Sequence, residues 1–152
     1  MALPSIFEAK TTETILERLN KLTNTTQPLW GKMNAAQMPS HLNVAYDIDS
    51  GKIKTETPAL MKFMLKLFLK PILVNEKPYN KNSRTAPIFL ISSEKDFEKE
   101  KKSLIDNILE SQNNGVTFYE GRVSNSVGKL TANEWSNMYY KHIDHHFTQF
   151  GI

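Results

Sequence analysis

His142 and His146 stand four residues apart in Tyr140-Lys141-His142-Ile143-Asp144-His145-His146-Phe147-Thr148-Gln149. On a helix this spacing stacks two side chains on one face, with β-carbons about 5–6 Å apart, so both imidazoles can reach one ion. Helical zinc proteases use the same pair but place a glutamate directly after the first histidine as the general base. Ile143 occupies that place, so peptide hydrolysis of that type is not expected. The chain has four histidines and no cysteine, which removes disulfides and thiolate sites from consideration and leaves nitrogen and oxygen ligands. Besides the two above and their neighbour His145, the fourth is His41. Three neutral imidazoles leave coordination positions open, the pattern of a catalytic ion that acidifies a bound water or takes a substrate directly. Asp144, His145 and Gln149 are candidates for the hydrogen bonds that fix imidazole tautomers.

These side chains need elements to carry them. Thr131 with Glu134 three residues on reads as a capping box, and predicts a helix over 131–150 that Gly151 ends. On it Trp135, Met138, Tyr139, His142 and His146 share one face, with His145 at the flank. Asn34 with Gln37 makes a second capping box, for a helix to about Asp49. Met38, His41, Leu42 and Ala45 form its inner side, so a bundle can bring His41 opposite the histidine pair. Pro39 predicts a kink just before His41. A first helix is expected over 11–22. Another is expected from Ser92 or Ser93 to about Asn113, burying Phe97, Leu104, Ile105, Ile108 and Leu109 and stopped by Asn114-Gly115. Residues 117–129 read as loop. Tyr46, Trp135 and Tyr139 read as core rather than pocket lining, and Asp47 as a solvated charge.

The long passage 52–93 contains a further helix over 60–70, with Lys62, Lys66 and Lys70 as its polar stripe and Pro71 bending or stopping it. It is too short and too charged to span a bilayer, so no stable membrane insertion is expected. Its wide apolar side calls for burial against the bundle or a partner subunit, which admits a homodimer; lying on a membrane surface is the alternative. Residues 75–87 read as loop and 88–91 as a short extended run. Arg84 is a plain loop arginine or an anion contact. The fold class is all-α.

With 152 residues, one domain over 1–152 is expected. The net charge of +3 comes from lysines interleaved with acids, which argues against a nucleic-acid partner. The amino terminus shows no basic stretch followed by an apolar one, so a cytoplasmic location is expected.

Three stretches carry a family resemblance: Trp30-Gly31-Lys32-Met33 through Gln37-Met38 to His41, Thr85-Ala86-Pro87, and Tyr140 to Gly151. Together they make nearly the whole chain resemble an uncharacterised branch of the DinB/YfiT-like superfamily. The resemblance implies a four-helix bundle in up-down-down-up order, whose parallel pair needs a long crossover holding the 60–70 helix. It also implies His41, His142 and His146 as ligands of a divalent ion, zinc or nickel first, iron or manganese next. By the same resemblance the chain is a metal-dependent transferase or hydrolase acting on a small molecule, with a low-molecular-weight thiol as an optional cofactor. The alternative is a non-enzymatic helical module that binds a metal or small ligand.

Overall fold

A computed structural model describes residues 2–152, and these are mainly helical. The helices are α1 (Ala9–Asn20), α2 (Gln37–Asp49), α3 (Ala59–Met64), α4 (Lys70–Val74), α5 (Phe97–Tyr119) and α6 (Ala132–Gln149). A π-helical turn, Leu65–Leu69, joins α3 to α4, and a 3₁₀ turn, Pro87–Phe89, precedes α5.

Both expected capping boxes form. Thr131 Oγ1 accepts from the Glu134 amide at 3.2 Å, and Glu134 Oε2 accepts from the Thr131 amide at 2.9 Å. Asn34 Oδ1 accepts from the amides of Ala36 and Gln37 at 3.0 and 2.9 Å, and Gln37 Oε1 accepts from the Asn34 amide at 3.0 Å. At the other end of α6, Gly151 takes φ +69°, and the amides of Gly151 and Ile152 donate back to the carbonyls of Thr148 and Phe147. That paired return is the Schellman closure, which needs a left-handed residue at the glycine.

The prolines behave differently from expectation. Pro39 lies in the first turn of α2, where a missing N–H costs nothing because no carbonyl of that helix faces it. The kink predicted ahead of His41 is therefore absent: the Asn34-capped turn leads into one helix from Gln37 to Asp49. Pro71 does not stop its helix either. It falls at the start of α4, and the π-turn before it takes up the lost hydrogen bond, so helix continues to Val74. Helix α5 begins later than Ser92 or Ser93, because Asp96 is the cap and accepts from the Lys99 amide at 3.0 Å. Gly115, at φ +66° and ψ −178°, interrupts α5 where Asn114-Gly115 predicted a stop, and one further turn follows to Tyr119. The loop expected over 117–129 holds a small antiparallel hairpin of β1 (Val123–Ser124) and β2 (Gly128–Lys129).

The core gathers Ile15, Leu19, Met38, Leu42, Leu104, Ile108, Trp135, Tyr139, Ile143 and Phe147. Helix α2 packs on α5 and α6, and α1 on α5. Tyr46 stacks on Tyr139 with centroids 4.5 Å apart and planes 13° from parallel, so both are core, as is the fully buried Trp135. Leu109, expected inside, is 37% exposed at the outer edge of α5. Buried Asn43 ties α2 to α5: its amide donates to the backbone carbonyl and the carboxylate of Glu100, and its Oδ1 accepts from Asn107 Nδ2. Each of its polar groups is thus satisfied inside the fold, as burial demands.

The crossover is fastened to α6. Lys141 Nζ donates to the Ile72 carbonyl at 2.7 Å and to Asn75 Oδ1 at 2.8 Å, and Asn137 Nδ2 donates to the Val74 carbonyl at 2.9 Å. These donors meet the carbonyls that the end of α4 leaves unpaired. Lys70 Nζ reaches the Lys129 carbonyl and the Glu134 carboxylate, each at 3.0 Å, so only Lys62 and Lys66 of the expected stripe stay in solvent. Leu69, Leu73 and Val74 pack against the core, while the outward side of the same helix is not covered by this chain.

Candidate metal centre

Helix α2 delivers His41 and helix α6 delivers His142 and His146. Stacking of Tyr46 on Tyr139 beside the approach of His41 to His142 shows that α2 and α6 run antiparallel at this contact. The three rings close on one another, with centroids 4.9 Å apart for His41 and His142, 4.5 Å for His41 and His146, and 5.1 Å for His142 and His146. One ring nitrogen from each lies within 4.8 Å of the other two, so the trio could hold a metal ion.

Hydrogen bonds decide which nitrogen each ring offers. His41 Nδ1 is 2.8 Å from the Phe89 carbonyl oxygen. A carbonyl only accepts, so the proton is on Nδ1 and Nε2 carries the lone pair. Gln149 Nε2 donates to the Trp30 carbonyl at 2.7 Å, which turns Gln149 Oε1 towards His146 Nδ1, also at 2.7 Å. His146 therefore donates through Nδ1 and likewise frees Nε2. His142 Nε2 lies 2.9 Å from His41 Nε2, so a proton or a cation must stand between two nitrogens that would otherwise repel. Two pinned imidazoles and a third whose nitrogen meets theirs are a donor set that fits a divalent ion.

Electrostatics point the same way. Burial pushes His41 below its ordinary value, partly offset by the Phe89 carbonyl. Burial first, and then the neighbouring imidazoles, lower His142 well below it. His146 falls to about 3, chiefly through burial and then through His41. All three rings are thus neutral at physiological pH, the form that ligates.

The remaining candidates lie around this trio in different ways. Gln149 touches His146 directly. His145 sits beside His146 with centroids 5.0 Å apart, edge-on to Trp30 and Tyr79, and outside the trio. Asp144 points away from the rings and pairs with Arg18 at 2.7 Å. Gly31 explains a glycine in the Trp30 stretch: at φ +82°, a Cβ there would stand 2.5 Å from Gln149 Nε2. The Phe89 ring caps the trio, 5.6 Å from His41 and 6.1 Å from His142. Sequence reasoning missed Phe89 and the Trp30 carbonyl because backbone acceptors carry no residue signature. It also missed Lys141 and Asn137, whose i,i+4 spacing on α6 was the available signal.

Gln149→Leu removes the acceptor of the buried His146 Nδ1 donor, two bonds from Nε2 in the same ring. We expect divalent-ion affinity to fall ~10–100-fold with the helical content unchanged. Competition against a chelating dye measures it, and unaltered affinity would exclude His146 as a ligand.

A second titratable group, unnoticed in the sequence, lies at the far end of α2. Asp49 accepts from the hydroxyls of Tyr139 at 3.0 Å and Ser124 at 3.3 Å, and burial raises its pKa to about 6. An acid whose folded pKa exceeds its unfolded value holds its proton more tightly when folded, so its contribution to stability falls as pH rises from about 4 to about 6. Asp49→Asn keeps a carbonyl oxygen for Tyr139 and removes the charge. In urea titrations the variant should exceed the parent by about 1–3 kcal/mol at pH 8, with the gap closing by pH 4.

Fold and site together define a helical protein with a buried three-histidine cluster able to hold a metal ion. The family model described as "Protein of unknown function (DUF1569)" matches residues 6–151, and the chain belongs to that family. No curated protein and no solved structure matches the chain.

Proposed function

We propose that this DUF1569 protein holds one divalent metal ion on His41, His142 and His146 and uses it on a small molecule, as a metal-dependent transferase or hydrolase. The observation that carries the reading is the pinning of two Nδ1 protons, on Phe89 and Gln149, which leaves the Nε2 edges converging beside His142. Zinc or nickel suits three imidazoles, with iron or manganese as alternatives. An ion there supplies Lewis-acid chemistry and lowers the pKa of a coordinated nucleophile. The chain's own residues orient and shield it: Gln149 and the Phe89 carbonyl fix ring direction, and the Phe89 ring limits water. His145, less buried than its neighbour His146, is the nearest further group able to carry a proton.

The resemblance to the DinB/YfiT-like superfamily supports the same proposal. It supplies the reading of α1, α2, α5 and α6 as a four-helix bundle in up-down-down-up order, with α3 and α4 in the crossover. It also supplies a low-molecular-weight thiol as candidate cofactor. A second reading, a metal held for stability or sensing without turnover, is favoured by the depth of the site, where His41 and His146 are only 5% and 8% exposed.

Elemental analysis of protein purified without a histidine tag, followed by melting with added zinc, nickel or manganese, tests the metal. A site filled to a hundred times its dissociation constant should add about 2.7 kcal/mol of stability. An ion-free protein whose melting point no metal raises would end both readings. Metal-dependent turnover in a screen with several small thiols selects the first reading, and its absence the second.

A further inference from the structure

The crossover helix presents a face to solvent that a water-soluble surface does not ordinarily carry. Leu60, Phe63, Met64, Leu67, Phe68 and Ile72 recur at three- and four-residue steps on its outward side and are 43–75% exposed. The underside is held down by Lys70, Lys141 and Asn137, and Leu69, Leu73 and Val74 sit in the core contact. The helix is therefore not loosely hinged, and its apolar ridge is a standing feature. Contiguous exposed apolar side chains of this kind mark a surface that meets a partner.

Charge identifies the partner. Residues 51–90 hold eight Lys or Arg (52, 54, 62, 66, 70, 77, 81, 84) and two Glu (56, 76), a balance of +6, of which Lys52 and Lys70 pair with Asp47 and Glu134 outside the segment. Since the chain as a whole carries +3, the remainder carries −3, so the even scatter of lysines along the sequence hides a strong local excess. Lys62 and Lys66 flank the ridge and line a cleft of about 220 Å³ between it and the hairpin residues Val123 to Gly128. Apolar side chains outermost with ammonium groups at their base suit a bilayer interface, where the first enter the acyl boundary and the second meet lipid phosphates. A second copy would set +6 against +6. No helix among the described residues is long and apolar enough to cross a membrane, so the contact is peripheral.

We propose that the helix from Ala59 to Val74 docks this protein onto the surface of an anionic lipid bilayer. This does not rest on the metal reading. The test is co-sedimentation of the full chain with phosphatidylcholine vesicles and with vesicles in which about a third of the lipid is phosphatidylglycerol. The expected result is pelleting with the anionic vesicles only, weakened by salt. Lys62→Gln and Lys66→Gln should each lower the partition roughly fivefold, and the combined Phe63→Ser, Leu67→Ser, Phe68→Ser variant should abolish it. All five side chains are exposed, so circular dichroism should show an unchanged fold. Failure to pellet with anionic vesicles at low salt overturns the proposal, as does binding that the triple serine variant retains. A dimer in light scattering that the triple variant dissociates, in a protein that ignores vesicles, would assign the ridge to a second copy instead.

Discussion

Alanine at His142 is expected to lower divalent-ion affinity by more than ~100-fold, beyond the range seen when only an outer hydrogen-bond partner of a ligand is lost. His142 is the ring whose Nε2 faces that of His41 at 2.9 Å, so its removal takes one donor and also the group that closes the trio. The prediction separates binding from folding. Without metal the variant should still fold, with a loss of about 1–3 kcal/mol for the cavity and for the His41 nitrogen left without its partner. With saturating zinc or nickel the parent should gain several degrees and the variant almost none. Isothermal titration and melting curves on the same preparations measure both. Equal metal gains in the two proteins would show that the ion binds elsewhere.

Trp135→Ala carries the largest expected cost to the fold, about 3–5 kcal/mol. Trp135 is fully buried, lies 5.5 and 5.6 Å from the rings of Tyr119 and Tyr139, and donates through Nε1 to the Arg122 carbonyl at 3.4 Å. Alanine would leave a cavity under both tyrosines and take away one of the two donors to the Arg122 carbonyl, the other being the Leu130 amide. Domains of this size hold only about 5–15 kcal/mol in total, so the variant should unfold at far lower urea or fail to accumulate. Trp135→Phe fills most of the space and should lose markedly less. A mild effect of alanine in equilibrium urea titration would mean that the layer between the metal site and the hairpin collapses readily.

Local signals were the most readable. The boxes at Asn34 and Thr131 and the Gly151 closure depend on side chains within a few residues of the backbone groups they satisfy, so residue type and spacing suffice. The i,i+4 histidines belong to the same class. Ser92, Ser93 and Asp96 are all acceptable caps, and what decides among them is where Phe97 and Leu104 must be buried, a tertiary matter. Pro71 reads as a bend or a stop, and the continuation to Val74 is hidden because a π-turn has no sequence mark. For His41, the residues alone said only that a bundle can bring it opposite the pair; the likeness of the Trp30 and Tyr140 stretches supplied it as the third candidate ligand. Its approach depends on α2 docking against α6, about a hundred positions distant in sequence. Lys141 looks like an ordinary surface lysine in the sequence and is buried where the Ile72 carbonyl of α4 and the Asn75 side-chain oxygen just beyond it take its protons.

The imidazole trio draws on four separated stretches: α2, the turn at Phe89, the strand of chain at Trp30, and α6. No short peptide cut from this protein contains the assembled donor set. Capture of the proposed ion would then follow completion of tertiary structure rather than guide it, unlike a zinc finger, whose ion drives its folding. The quantity of ion retained by a preparation would accordingly serve as a gauge of how many molecules have reached the native state.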